Sequence, residues 1–252
     1  MKIFLILIIF VNFLFSYNED YSFRKYNHIK EFYKPIIKET IKIALKYDMP
    51  PAAILAMASV ESGYGRGYVA KITGNILSLG AGKSEKELPS LYLPNLKKPY
   101  KVLYNEKEIK KYKKSQLVWK QRPKSLKKDY RPNNLAGTTK NLDYFDYHKQ
   151  ERIKANLKNI EEFCSKWINL KSNYKVFRDA RKLLNERVKM YGKGVLFTKE
   201  LNTEFINSIG GKPNSYNYRE AWPKKIVKVM EKTGLIRLSE DIYLKRDFEK
   251  VW

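Results

Sequence analysis

From Pro51 to Val60 the chain runs Pro-Ala-Ala-Ile-Leu-Ala-Met-Ala-Ser-Val, with Ser59 its only polar residue, and then reads Glu61-Ser62-Gly63-Tyr64-Gly65. Pro50-Pro51 opens a helix and the glycines close it. A helix that is apolar on every face must be surrounded, so the rest of the chain has to supply a shell of elements around it. Glu61 lies at its end, one turn from Met57 and Ala58 and two from Ile54 on the same face. Carboxylates on buried faces are rare. Desolvation there favours the protonated form, which a general acid needs at neutral pH. Gly63 and Gly65 remove side chains from around the carboxyl, so a ligand has room to approach. The alternative is a helix-end Glu turned to solvent or paired with one of the many lysines.

The shell is also legible. Ile29, Phe32, Tyr33, Ile36, Ile37, Ile41 and Ala44 recur at three-four spacing and predict one amphipathic helix, ended by Asp48-Met49-Pro50-Pro51. Ile153, Leu157, Ile160, Cys164, Trp167 and Ile168 form a second stripe, and Tyr174, Phe177, Ala180, Leu184 and Val188 a third. Helices are further expected over about 195–208, before Gly210-Gly211, and about 219–233, before Gly234, with an amphipathic capping segment from Ile236 to Trp252.

The helical pattern fails between Gly82 and Lys140. Five of the chain's ten prolines fall there, with 17 Lys+Arg against 5 Asp+Glu. Tyr100–Tyr104 and Gln116–Trp119 read as short strands, so this stretch is expected to be an inserted basic lobe of loops and β-strands. A solvated, disordered insertion is the alternative. The chain's net charge of +25 suits an anionic partner, such as nucleic acid, acidic lipid or an acidic polysaccharide.

Residues 1–16 carry Lys2 followed by an apolar run from Ile3 to Val11, too short to span a bilayer, and read as a secretory signal cleaved near Ser16. Leu14 fits the small-residue cleavage rule poorly, which leaves an uncleaved N-terminal anchor as the alternative. No Cys follows the run, so a lipoprotein is excluded, and no other segment resembles a membrane span. Export sets nucleic acid aside as a partner. One cysteine, Cys164, and two histidines, His28 and His148, leave no donor set for a metal centre, so neither metal nor cofactor is expected. Cys164 sits on an apolar stripe and reads as core. Gly80-Ala81-Gly82-Lys83-Ser84 ends like a phosphate loop, but Leu77 stands where its first glycine belongs.

The run Ile54–Gly65 resembles the catalytic signature of the glycoside hydrolase family 73 type of N-acetylglucosaminidases. These are peptidoglycan hydrolases with a lysozyme-like fold, and they include flagellum-associated enzymes and the Bax-like bacterial proteins. Gly74-Asn75-Ile76-Leu77-Ser78-Leu79 stands where that family has an Asn-Asn-Leu-Phe-Gly-like turn; one Asn is kept, and the aromatic residue and the glycine are not. Tyr216-Asn217-Tyr218-Arg219, then Trp222 and Lys225-Ile226, resembles the family's tyrosine-bearing loop, and Asn173–Arg178 its Bax-like helix start.

The resemblance implies a mainly α, lysozyme-like (α+β) fold over residues 17–252, forming one glucosaminidase domain with the basic lobe inserted at about 82–140. It implies a glycan-strand hydrolase that cuts N-acetylglucosamine-β-1,4-N-acetylmuramic acid bonds, with Glu61 and Tyr216 as catalytic residues and Tyr64, Asn75 and Tyr218 binding substrate. The second catalytic group would be Glu85, Glu87, Asp143, Asp146 or the substrate's own acetamido. Peptidoglycan strands are the expected partner, in a flagellar or cell-envelope complex, with the protein periplasmic or cell-wall associated. Two alternatives stand beside this reading. A lytic transglycosylase would share the Glu-Ser pair, but this chain lacks the Gly-Leu-Met-Gln-type segment after it. The other is a non-catalytic peptidoglycan-binding protein.

Overall fold

The apolar helix is at the centre of the protein. In the computed structural model, which describes residues 21–252, Ala52 through Ser59 are all buried. The secretory-signal segment lies outside the described residues. Two helices precede the central one, α1 (Asn27–Tyr33) and α2 (Ile37–Lys46), and α3 (Pro51–Ser62) is the central helix itself. The single helix expected from the Ile29–Ala44 stripe is therefore two. Pro35 explains the break: it has no N–H to give to Glu31, and its ring crowds that carbonyl. Both halves still bury the expected face, Ile29, Phe32 and Tyr33 in one and Ile37, Ile41 and Ala44 in the other.

α3 starts without a capping side chain at Pro50, and the amide of Ala53 is met from across the core by Asn202 Oδ1 at 2.8 Å. It ends at Gly63, where three consecutive residues take left-handed backbone, Gly63 at φ 57°, Tyr64 at 56° and Gly65 at 68°. Ser62 holds this reversal, its hydroxyl donating to Ala58 O at 2.6 Å and accepting from the Gly65 amide at 2.7 Å. A short helix, α4 (Tyr68–Thr73), follows and stops at Gly74, also left-handed, where an added Cβ would stand 2.6 Å from that of Ala155.

The basic stretch folds into an ordered lobe, against the disordered alternative. Its strands are β1 (Glu87–Leu88), β2 (Leu91–Leu96), β3 (Lys101–Val102), β4 (Leu117–Arg122) and β5 (Ser125–Lys128), with a one-turn helix α5 (Glu106–Ile109). They form two small antiparallel sheets, β3-β2-β4 and β1-β5. Leu88, Leu91, Leu93 and Tyr104 join Ile72 in a second apolar cluster, separate from the main one.

The chain then returns to helices: α6 (Tyr144–Tyr147), α7 (Lys149–Glu162), α8 (Lys175–Tyr191), α9 (Lys199–Ile209), α10 (Ala221–Thr233), α11 (Leu235–Tyr243) and α12 (Phe248–Val251). α7 runs on into a π-helical turn, Phe163–Trp167. The helix expected over 195–208 is a 3₁₀ turn (Lys193–Phe197) followed by α9, which begins where the Thr198 hydroxyl accepts from the Leu201 amide. The capping segment is likewise two helices rather than one. α2, α9, α10 and α11 pack directly on α3. The architecture is mainly helical, with a small sheet lobe.

Candidate active site

Glu61 stands in an open cleft of about 400 Å³ between the helical body and the lobe. The helix before it is buried from Pro51 to Ser59, but Val60 and Glu61 are only half-buried. The Trp222 indole N–H, from α10, donates to Glu61 Oε1 at 2.7 Å. Among the described residues Oε2 has no hydrogen-bond partner, so one oxygen is anchored and the other faces the cleft. Trp222 is itself fixed, 4% exposed and 5.3 Å from the Tyr216 ring. Gly210 passes directly beneath it: a Cβ there would lie 2.2 Å from Trp222 Cε3.

The cleft floor is Gly74–Leu79, a loop held by amides. Asn75 makes four side-chain bonds: its Nδ2 donates to Leu79 O at 2.9 Å and Lys128 O at 3.0 Å, and its Oδ1 accepts from Leu79 N at 2.8 Å and Asn159 Nδ2 at 3.0 Å. That is the full capacity of the group. From α7, Asn156 donates to Gly74 O at 2.9 Å, and Asn159 Oδ1 accepts from Leu77 N at 2.8 Å. The Tyr216 hydroxyl completes the clamp by donating to Leu77 O. Burial pushes the Tyr216 phenol well above its ordinary value, and the nearby acidic groups of Glu61 and Tyr130 add to the effect. It is therefore a neutral donor throughout the physiological range.

The resemblance-based residues thus separate by location. Glu61, Tyr216 and Tyr218 line one cleft, with Tyr218 at the rim, 70% exposed. Asn75 lies beneath the floor, 2% exposed, its polar atoms all engaged by protein. Tyr64 points away from the cleft and packs edge-on against His28 at 5.6 Å, Phe32 at 6.0 Å and Tyr33 at 6.3 Å.

None of the four acids considered as a second catalytic group lines the cleft. Glu85 accepts from the Gly82 amide at 2.9 Å and pairs with Lys128 at 2.5 Å. Glu87 pairs with Lys124 at 3.1 Å. Asp143 precedes α6, and Asp146 accepts from Tyr104 at 3.1 Å and Asn105 at 3.2 Å. Among the described residues Glu61 is the one carboxylate in the cleft lining.

Sequence reasoning missed two aromatic residues and two cations. Trp167, thrown into the cleft by the π-turn, was read only as a stripe residue, and Trp222 only as part of the tyrosine-loop resemblance, with no role. The cations are Arg219 and Lys127, whose ammonium donates to Ser78 O at 2.6 Å. Behind this wall, Lys128 links Glu85 of the lobe to both oxygens of Glu162 on α7, at 2.6 and 2.7 Å, and Tyr130 donates to Glu162 at 2.9 Å. Burial alone would raise the Glu162 and Glu85 carboxyls, but these bonds outweigh it and hold both below the usual range. Lys128 is raised on balance for the converse reason.

No family model matches the chain, and no curated protein matches it. Among solved structures it is similar to the catalytic domain of the autolysin Auto from Listeria monocytogenes, at 14% identity and a TM-score of 0.46, over 84% of this chain and 88% of that one.

Proposed function

We propose that the protein is an exported peptidoglycan hydrolase of lysozyme-like architecture that cleaves the glycan strand between N-acetylglucosamine and N-acetylmuramic acid, with Glu61 as general acid. The observation that carries this reading is a carboxyl at the end of a buried helix, with one oxygen fixed by Trp222 and the other open to a cleft walled by aromatic and cationic side chains. Trp167 and Tyr218 offer faces for sugar rings, and Lys127 and Arg219 suit a polymer bearing carboxylates.

In the proposed reaction, protonated Glu61 gives its proton to the glycosidic oxygen as the bond to the anomeric carbon breaks. With Glu61 the one carboxylate in the lining among the described residues, attack at the anomeric carbon falls, on this reading, to the substrate's own acetamido oxygen. Water then opens the resulting ring and returns a proton to Glu61. Tyr216 serves as a positioning residue, since its proton is given to Leu77 O and its ring supports Trp222.

The test is mass spectrometry of soluble products released from purified cell wall by the chain and by Glu61→Gln, which keeps the oxygen that Trp222 holds. Products ending in reducing N-acetylglucosamine, reduced at least about 100-fold in the variant, are expected. Anhydro-muramic ends would make the protein a transglycosylase. Wall binding without release by either chain would leave a binding protein.

A further inference from the structure

On the far side of the Glu61 loop lies a second cavity, of about 480 Å³, between α1, α4 and the start of α7. Four cations border it: Arg66, Lys71, Lys149 and Arg152. None of them has an ion-pair partner among the described residues. Other cations that leave solvent are either matched by carboxylates, as Arg131 is with Asp129 at 2.7 Å and Lys128 with Glu85 and Glu162, or spent on carbonyls, as Arg181 is on Tyr47 O and Asp48 O and Lys127 on Ser78 O. Lys71 is likewise half-buried and has neither kind of partner among the described residues, and Arg152 has one carbonyl, with no carboxylate.

The cavity has two carboxylates of its own, and both are engaged. Glu31 accepts from Asn27 at 2.7 Å, and Asp146 from Tyr104 and Asn105. Arg152 spends Nη2 on Gly65 O at 2.7 Å, and its other guanidinium nitrogens have no hydrogen-bond partner among the described residues. Burial lowers the Lys71 ammonium; Lys101 and Arg152 push the same way against Asp146. A concave, partly desolvated site where positive charge outnumbers negative is short of an anion. The walls contributed by Phe32, Tyr64 and Phe145 are apolar, which suits an anion carried on a small organic body rather than a bare ion.

We propose that this cavity is a binding site for a compact oxyanion, a phosphate or carboxylate group, held by Lys71 and Arg152 with Arg66 and Lys149 at its mouth. The site is separate from the Glu61 cleft and does not depend on the reaction proposed there. It does touch the same loop, since Arg152 holds Gly65 and Tyr64 forms the wall, so an occupant stiffens the turn that follows Glu61.

The experiment is a nitrogen-15 amide titration of the chain with inorganic phosphate and, separately, with succinate, at constant ionic strength. Saturable shifts at Tyr64, Gly65 and Lys71 are expected. Lys71→Gln should weaken affinity at least about tenfold, the scale of one charge-assisted hydrogen bond. Lys149→Gln, an exposed change that leaves packing intact, should weaken it about two- to fivefold. Lys228→Gln, exposed on α10 and equal in charge, should leave affinity unchanged. Tighter binding of phosphate identifies a phosphate-bearing ligand, and tighter binding of succinate a carboxylate-bearing one. Absence of saturation with both probes, or equal weakening by Lys228→Gln, overturns the proposal.

Discussion

Replacing Gly210 by alanine tests whether Trp222 holds Glu61 in a fixed place. The backbone at Gly210 is extended, at φ −137° and ψ 175°, so any residue can adopt it and the whole effect is steric. The new methyl carbon would stand 2.2 Å from Trp222 Cε3 and 2.3 Å from Cζ3, whereas ordinary contact begins at 3.4 Å. The indole must therefore withdraw by about 1 Å in a core without slack. It is buried and packed on Tyr216, and its N–H reaches Glu61 at only 2.7 Å. Overpacking of this kind costs about 1–3 kcal/mol. For a chain of this size that lowers the Tm by about 2–12 °C. A displacement of about 1 Å at a catalytic group costs up to about 100-fold in rate. Circular-dichroism melts and dye release from labelled cell wall measure the two effects. Gly194→Ala, around which nothing lies within 4 Å, is the control. If Gly210→Ala melts within about 1 °C of the control and releases dye within about twofold of it, the contact does not position Glu61 and the reasoning fails.

Three further outcomes are expected. Asn75→Ala strands the partners of all four of its bonds and should cost more than about 3 kcal/mol, read as a lower urea midpoint; a loss below about 1 kcal/mol would show the floor to be held otherwise. The Lys128 latch should be whole between about pH 5 and pH 10. Glu85 and Glu162 have depressed values in the folded chain, so their contribution is present above the unfolded value and lost as pH falls through the folded one. Lys128 is raised, so its contribution is lost as pH rises through its folded value. Lys128→Met should therefore flatten the acid limb of stability against pH, and an unchanged limb would contradict the pairing. Cys164 is 1% exposed and burial pushes its thiol up to about 12, so iodoacetamide at about pH 8 should label it only on unfolding; labelling of the native chain at the rate of a free thiol would contradict its placement.

The central helix was legible because its composition admits one environment, and the amphipathic shell because three-four spacing survives wherever no proline intervenes. Pro35 is present in the sequence, but the regular stripe across it suggested continuity where the backbone cannot continue. The lobe's breakers and strand-formers indicated its class but not its pairing, which joins β2 to β4 across about twenty intervening residues. In the cleft, Glu61 was readable from its position alone, whereas Tyr216 and Tyr218 came only from the resemblance. Asn75 and Trp222 likewise came only from the resemblance, and the bonds they make, with the asparagines at 156, 159 and 202, were not readable. Asn156 and Asn159 interrupt the Ile153–Ile160 stripe, and polar residues on an apolar face are the signal that could have found them. What they bond to depends on chain segments some eighty residues away, and periodicity carries no information about that.

The seam between lobe and body joins the apolar cluster around Ile72 to a run of hydrogen bonds and ion pairs from Asn75 and Asn159 through Tyr130 to Glu162, Lys128 and Glu85. The charged part of that seam, unlike the apolar part, weakens with salt and with protonation of Glu85 and Glu162. Gly80 and Lys127, one wall of the cleft, are bridged to each other beside this seam. The width of the cleft is therefore set by charge as well as by packing.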